Sequence, residues 1–338
     1  MYSLGMKMMK HRSLTMKKIL NSVAAAVFSL AIHSGLTAHA QDYPSKPVRI
    51  VISSTPASGL DLHARLIANS LALLWKQSVL VDYKPGGGMA IGAAYVAKSP
   101  ADGYTLYFSI DSPFVINPLA MTNLPYKIAD FAPISFWSLN PFVLLVNSEL
   151  QVKSVPELID HLRVNPGRLN AASASALTLL SHELFRTLAR VEYSTITYKG
   201  GTESMASLMS GETQLAFYDL GNAQAGIKAG KLRVIAQTPL KRASILSDIP
   251  TIAESGVPGF ETGTWGAMFA PVSTPSSIIS KINTDMRTVL ASSEMIEKLR
   301  TLGVEPHASS PEELSSKIGS DAARWAKLIK ERGITLSQ

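Results

Sequence analysis

Pro47-Val48-Arg49-Ile50-Val51-Ile52-Ser53-Ser54-Thr55-Pro56-Ala57-Ser58-Gly59-Leu60-Asp61 contains the change of pattern that decides the fold. Residues 47–52 are a short apolar run bounded by turn residues, the pattern of a buried strand. Ser53 to Gly59 is a loop of small residues. Leu60 to Lys76 then repeats apolar residues at helical spacing, and the spacing puts Leu62, Leu66, Ala68, Ala72 and Leu73 on one buried face. Asp61 stands near the helix start, where a carboxylate can cap free N–H groups.

The same alternation continues outward. Val79 to Tyr83 reads as a strand, Pro85-Gly86-Gly87-Gly88 as a turn, Ile91 to Lys98 as a helix and Tyr104 to Ser109 as a strand. A β-α-β-α-β order predicts a parallel sheet with helices on its faces. The pattern restarts with a strand at Val143–Val146. A helix from Ser154 to Val164 opens with Ser154 and Glu157 in capping-box spacing. Strands follow at 169–173, 193–198, 215–218, 232–237 and 265–270, with helices at 178–189, 202–210 and 223–229. Three helices close the chain at 276–292, 293–302 and 311–331. Two α/β lobes and a helical tail account for this order.

Composition narrows the function. The 338 residues are 46% hydrophobic and 17% charged, as in a globular protein, and contain no Cys. Disulfides, thiolate metal sites and a Cys nucleophile are therefore excluded. The net charge of +7 owes five positive charges to Lys7, Lys10, Arg12, Lys17 and Lys18, and the first 40 residues hold no acid. The remainder is nearly neutral, so no nucleic-acid surface is implied. Met16-Lys17-Lys18, an apolar stretch from Val23 to Ile32 and Ala38-His39-Ala40 form an export signal cleaved before Gln41. Either Met1 or Met16 serves as the start. The apolar stretch is well short of the ~20 residues that span a bilayer.

Four loops are candidates for chemistry. Thr55, Ala57, Ser58, Gly59 and Asp61 form a strand-to-helix turn whose free N–H groups and helix dipole suit an anion; it also reads as an ordinary βα turn. Pro85–Gly88 lacks the Lys-Ser/Thr of a phosphate loop and reads better as a close-packed turn. Ser173, Ser175 and Thr178 repeat the first geometry in the second lobe, to bind a ligand or to cap a helix. Asp219 follows a strand and either faces a ligand or caps the helix near Ala223. After cleavage His63, His161, His182 and His307 remain, in no metal-binding spacing. Ser181 and His182 are chain neighbours on a helix and point apart, so they are no dyad. No nucleophile elbow or dinucleotide fingerprint occurs. His63 reads as a packed or solvated side chain more readily than as one facing a cleft.

Taken together, the ordered segments resemble the Bug-type substrate-binding proteins of tripartite tricarboxylate transporter systems. The segments that carry it are Tyr43–Val51, Pro85–Gly88 with Ile91-Gly92, Ala101-Asp102-Gly103-Tyr104-Thr105-Leu106 and Asp130-Phe131-Ala132-Pro133-Ile134. Tyr198-Lys199-Gly200, Ala229-Gly230-Lys231-Leu232-Arg233, Asp248-Ile249-Pro250-Thr251 and Trp325-Ala326-Lys327 complete the set. The resemblance implies an α/β, periplasmic binding protein type II-like fold with a cleft between two lobes. Lobe 1 would be 41–143 plus 266–338 and lobe 2 would be 144–265, with the chain crossing near 142–147 and 264–270. It implies no enzyme and no cofactor or metal, but a small-carboxylate ligand delivered to an inner-membrane permease, or presented to a sensor kinase. An exported hydrolase is the remote alternative. The loops 53–61 and 173–178 would hold the carboxylate, and 109–114, including Ser112, and 218–222 would flank it. Where the family's first loop usually reads Pro-Pro-Gly-Gly-Gly-Thr-Asp, this chain has Thr55-Pro56-Ala57-Ser58-Gly59-Leu60-Asp61. The second loop has no Gly between Ala171 and Thr178. An acceptor-only Asp219 in the cleft would favour an amino, hydroxy or neutral-tailed monocarboxylate over a tricarboxylate.

Overall fold

Strand β1 (Val48–Ile52) is buried at Val48, Ile50, Val51 and Ile52 because both of its faces are covered. In the computed structural model, which describes residues 43–336, β1 lies parallel between β2 (Val79–Tyr83) and β3 (Thr105–Ile110). Helix α1 (Gly59–Trp75) connects the first two and α2 (Ala90–Ala97) leads into the third. The export signal and its cleavage site fall outside the described residues.

Helix α1 forms where the spacing places it, but it buries a different face. Ala64, Ile67, Ala68, Leu71 and Trp75 are buried, whereas Leu62 is 45% and Leu73 82% exposed. The helix carries two apolar stripes. The one bearing Trp75 wins because its indole Nε1 donates to Asp285 Oδ2 (2.6 Å) on α9 (Ser276–Leu290) while its ring is buried. Gly92 on α2 packs directly against the Ser53 side chain, and this close approach fixes how α2 lies on the sheet.

Strand β4 (Phe131–Asn147) is 17 residues long, far more than the Val143–Val146 segment expected. Pro133 and Pro141 hid its first two-thirds, since proline in a strand interior argues against a ladder. The strand accommodates Pro133 with register shifts, and at Pro141 it changes partners. Residues 131–141 pair antiparallel with β9 (Gly263–Pro271). Residues 142–147 pair with β7 (Leu215–Asp219) on one side and β8 (Leu232–Gln237) on the other. The strand order is β2-β1-β3-β9-β4-β7-β5-β6, with β5 at Asn170–Ser173 and β6 at Ser194–Thr197. One sheet half lies on each side of the Pro141 exchange. Beyond it, Leu144 and Val146 face one core cluster, and Val143 and Leu145 the other.

In the second half, α5 (Val155–Val164) is capped by Ser154, and α6 (Ala176–Ala189) and α7 (Gly201–Ser210) follow β5 and β6. Helix α8 (Leu220–Lys228) starts three residues earlier than expected. Two one-turn helices, α3 (Ser112–Val115) and α4 (Asn117–Ala120), were too short to leave a periodic signal. Helix α10 (Ser293–Thr301) and α11 (Pro311–Arg332) complete the chain. Between them β10 (Glu305–Pro306) pairs with β4. Among the described residues no helix is long and apolar enough to cross a membrane.

Candidate functional site

The first strand-to-helix turn is built by its own side chains. Ser58 is the N-cap of α1: its Oγ accepts from Asp61 N (3.3 Å) and from the Ser54 hydroxyl (2.6 Å). Asp61 is buried and is not the cap. Its carboxylate accepts from Ala57 N (2.8 Å), Arg65 Nε (2.9 Å) and the Tyr83 hydroxyl (2.8 Å). Burial works against its charge, but these donors outweigh it and hold its pKa below the usual carboxylate value. Ala57, where the family's pattern has glycine, stands at φ 63°, in the left-handed region. Thr55 is exposed, and its carbonyl accepts from Ser58 N (3.3 Å). The N–H groups of Gly59 and Leu60 have no acceptor among the described residues. They form the open positive end of a 17-residue helix.

The second turn is more closed. The Ser173 hydroxyl is sealed from solvent, sharing a hydrogen bond with Thr178 Oγ1 (2.9 Å) and donating to the Ser175 carbonyl (3.2 Å). Thr178 is also buried and closes a reciprocal capping box with Ser175 at the start of α6. Ser175 itself is exposed and lines a cavity of about 450 Å³ together with Tyr198, Lys199 and Thr335.

Asp219 caps a helix, one of the two roles that its position allows. Its Oδ1 accepts from Asn222 N (2.9 Å), capping α8, and its Oδ2 accepts from Asn222 Nδ2 (2.7 Å). It also lines a different cavity, of about 460 Å³. Gly59 and His63 of α1 line that cavity from the first half, and Gly221, Asn222 and Gln224 from the second. Asn140 and Thr264 contribute from β4 and β9, and Leu302 to Val304 from the segment after α10. Of the predicted residues, Gly59 and Asp219 are therefore brought to one cavity and Ser175 to another. Ser112 is half-buried at the start of α3 and lines neither. Among the described residues no Lys or Arg lines the larger cavity, and Asp219 is its one acidic side chain.

Sequence reasoning weighed His63 as less readily cleft-facing than packed or solvated, and did not single out Asn140 or the Leu302–Val304 segment. His63 lies one helical turn beyond Gly59, and that i, i+4 relation was the available signal. Its ring stands against Trp137, with centroids 5.2 Å apart, and burial pushes its pKa down to about 4. Asn140 lay in a strand obscured by prolines, and the Leu302–Val304 segment is brought to the cavity only by tertiary packing. No group of His, Cys, Asp and Glu among the described residues has the arrangement to hold a metal ion. His182 is fully buried, bonded through Nδ1 to the Tyr193 hydroxyl (3.1 Å) and through Nε2 to the Ala172 carbonyl (3.2 Å).

A cavity between two sheet halves, faced by helix starts from both, is a common setting for a small-molecule site. The family model described as tripartite tricarboxylate transporter family receptor matches residues 63–334. The chain belongs to this receptor family. Protein BugT of Bordetella pertussis is 31% identical over 303 residues, covering 88% of this chain and 92% of BugT. The R. palustris protein Rpa4515, solved with adipate, is 36% identical with a TM-score of 0.72, over 87% of this chain and 99% of that one. The periplasmic binding protein BugD is 30% identical with a TM-score of 0.67, over 88% and 100% of the two chains. The α/β architecture is that of the periplasmic solute-binding proteins, as the resemblance implied.

Proposed function

We propose that this family member is an exported receptor, not an enzyme, which binds a small carboxylate and delivers it to a membrane transporter. The observation that carries the reading is the 460 Å³ cavity faced by the start of α1, with unpaired N–H groups on Gly59 and Leu60, and by the start of α8. Helix N-termini favour anions without a full countercharge. The adipate held by the R. palustris relative supports a carboxylate ligand.

In this reading residues 41–143 with 266–338 and residues 144–265 are two lobes that close on the ligand. Gly59 and Asp219 face it directly. Thr55, Ala57, Ser58 and Asp61 shape the turn that opens α1, whereas the Ser173–Ser175–Thr178 turn stands at the separate cavity and Ser112 lines neither. Export to the periplasm is directed by the N-terminal signal, which is then cleaved after Ala40. Native mass spectrometry of protein purified from periplasm tests both parts. The expected result is a chain beginning at Gln41 with a small carboxylate retained. A protein that no mono- or dicarboxylate stabilises in a thermal-shift panel would overturn the receptor reading.

A further inference from the structure

The side chain that stands out in this cavity is His63. Neither ring nitrogen has a hydrogen-bond partner among the described residues, and neither is sealed from the cavity or solvent. Both nitrogens are therefore open to a hydrogen-bond partner from whatever occupies the cavity. The ring is also held in place. It lies on the indole of Trp137, which stacks on Phe108 (centroids 4.6 Å apart) and donates through Nε1 to the Ser109 carbonyl (3.2 Å). The indole also meets Gly266 so closely that no Cβ would fit there. The fixed indole gives the imidazole a rigid platform, so it presents one orientation to a ligand.

Burial keeps this imidazole neutral at physiological pH. A neutral imidazole offers one donor and one acceptor. A second ligand carboxylate opposite it would find no cation among the lining side chains, with Asp219 in the same cavity. A hydroxyl both donates and accepts, carries no charge, and matches either ring nitrogen. Resting on the carboxylate-receptor reading, we propose that His63 is the specificity-determining residue of the cleft. It selects a hydroxycarboxylate whose carboxylate sits at the start of α1 and whose hydroxyl bonds to the imidazole one helical turn further on. A site built to bond a hydroxyl discriminates strongly against the analogue that lacks it, because its own polar atoms are then left unpaired.

Isothermal titration of the protein with butyrate and with 2-, 3- and 4-hydroxybutyrate tests this, on wild type, His63→Leu and His63→Gln. The wild type is expected to bind at least one hydroxybutyrate ten-fold or more tighter than butyrate. His63→Leu should shrink that ratio to less than about two-fold, because it removes the ring nitrogens that butyrate leaves unpaired. His63→Gln, which keeps a donor and an acceptor, should retain part of the preference and guards against a Leu variant that fails to fold. A wild type that binds butyrate and every hydroxybutyrate equally overturns the assignment alone, as does an unchanged preference in a folded His63→Leu. A wild type that binds none of the four and no larger carboxylate overturns the receptor reading and this inference with it.

Discussion

Gly221 and Gly303 meet back to back at the edge of the cleft: a Cβ on Gly303 would stand 3.3 Å from the Gly221 Cα. The contact joins the start of α8 to the segment after α10, and both residues line the cavity. The two glycines are not equivalent. Gly303 sits at φ 77°, whereas a Cβ on Gly221 would make only ordinary contacts, 3.5 Å from Asp219 Oδ1 and 3.8 Å from the Leu302 carbonyl. Gly303→Ala should therefore cost about 1–2 kcal/mol of stability from backbone strain alone, whereas the helical Gly221→Ala should be neutral or gain up to about 1 kcal/mol. Urea denaturation of both variants checks this; equal losses would show that the asymmetry has no energetic meaning.

Ala57 pays a conformational cost where the family's pattern has glycine. A non-glycine residue in the left-handed region costs about 1–2 kcal/mol, partly offset because alanine has less freedom to lose on folding. Ala57→Gly is expected to raise stability by about 0.5–1 kcal/mol while keeping the Ala57 N–H bond to Asp61. Thermal denaturation at neutral pH reads the result, and a lowered midpoint would mean that the turn gains more from the methyl group than it loses in strain.

Because Asp219 caps α8 and lines the cavity, its two roles separate by substitution. Asn caps a helix about as well as Asp, so Asp219→Asn should change stability by no more than about 0.5 kcal/mol, whereas Asp219→Ala should cost about 1 kcal/mol. Removing the charge should also relax rejection of a second anionic group. A thermal-shift panel should show weak stabilisation of the wild type by citrate and a larger response in Asp219→Asn. Strong stabilisation of the wild type by citrate would remove Asp219 from the selective surface.

Asp111 gives a pH prediction with a definite sign. It is buried at the end of β3, and burial, reinforced by the neighbouring Asp321 charge, pushes its pKa up to about 8. Its Oδ1 has no hydrogen-bond partner. A carboxyl whose folded pKa is raised from 3.8 contributes its full stability below about pH 3.8 and loses it as pH rises towards 8. The isosteric Asp111→Asn should therefore be more stable than wild type at pH 8, by about 1–3 kcal/mol. The advantage should fade as pH falls towards 4. Denaturation midpoints of both proteins across that range decide it, and a pH-independent difference would place the effect in packing instead of charge.

Much of the fold was legible because its signals are local. The strand-loop-helix change at 47–61, the Ser154 cap and the β-α alternation depend on neighbours within one or two turns, and each element formed close to its expected bounds. The family followed from segments spread over the chain. The long β4 was not legible, because Pro133 and Pro141 break the local strand pattern, and only pairing with β9, more than 100 residues away, restores it. Ser173 reads in sequence as a residue that binds a ligand or caps a helix; folding sealed it against Thr178.

The sequence by itself determined the order of the longer elements and the Ser154 cap, which follow from spacing, turn residues and short-range hydrogen bonds, and its resemblance to a family pointed to the receptor class. Tertiary structure decided which stripe of α1 is buried, because Trp75 had first to find Asp285, 210 residues later. It decided that His63 rests on Trp137 and shares a cavity with Asp219. One helix offers several faces of nearly equal local merit, and the choice among them depends on surfaces contributed by distant segments, whose position no local pattern specifies.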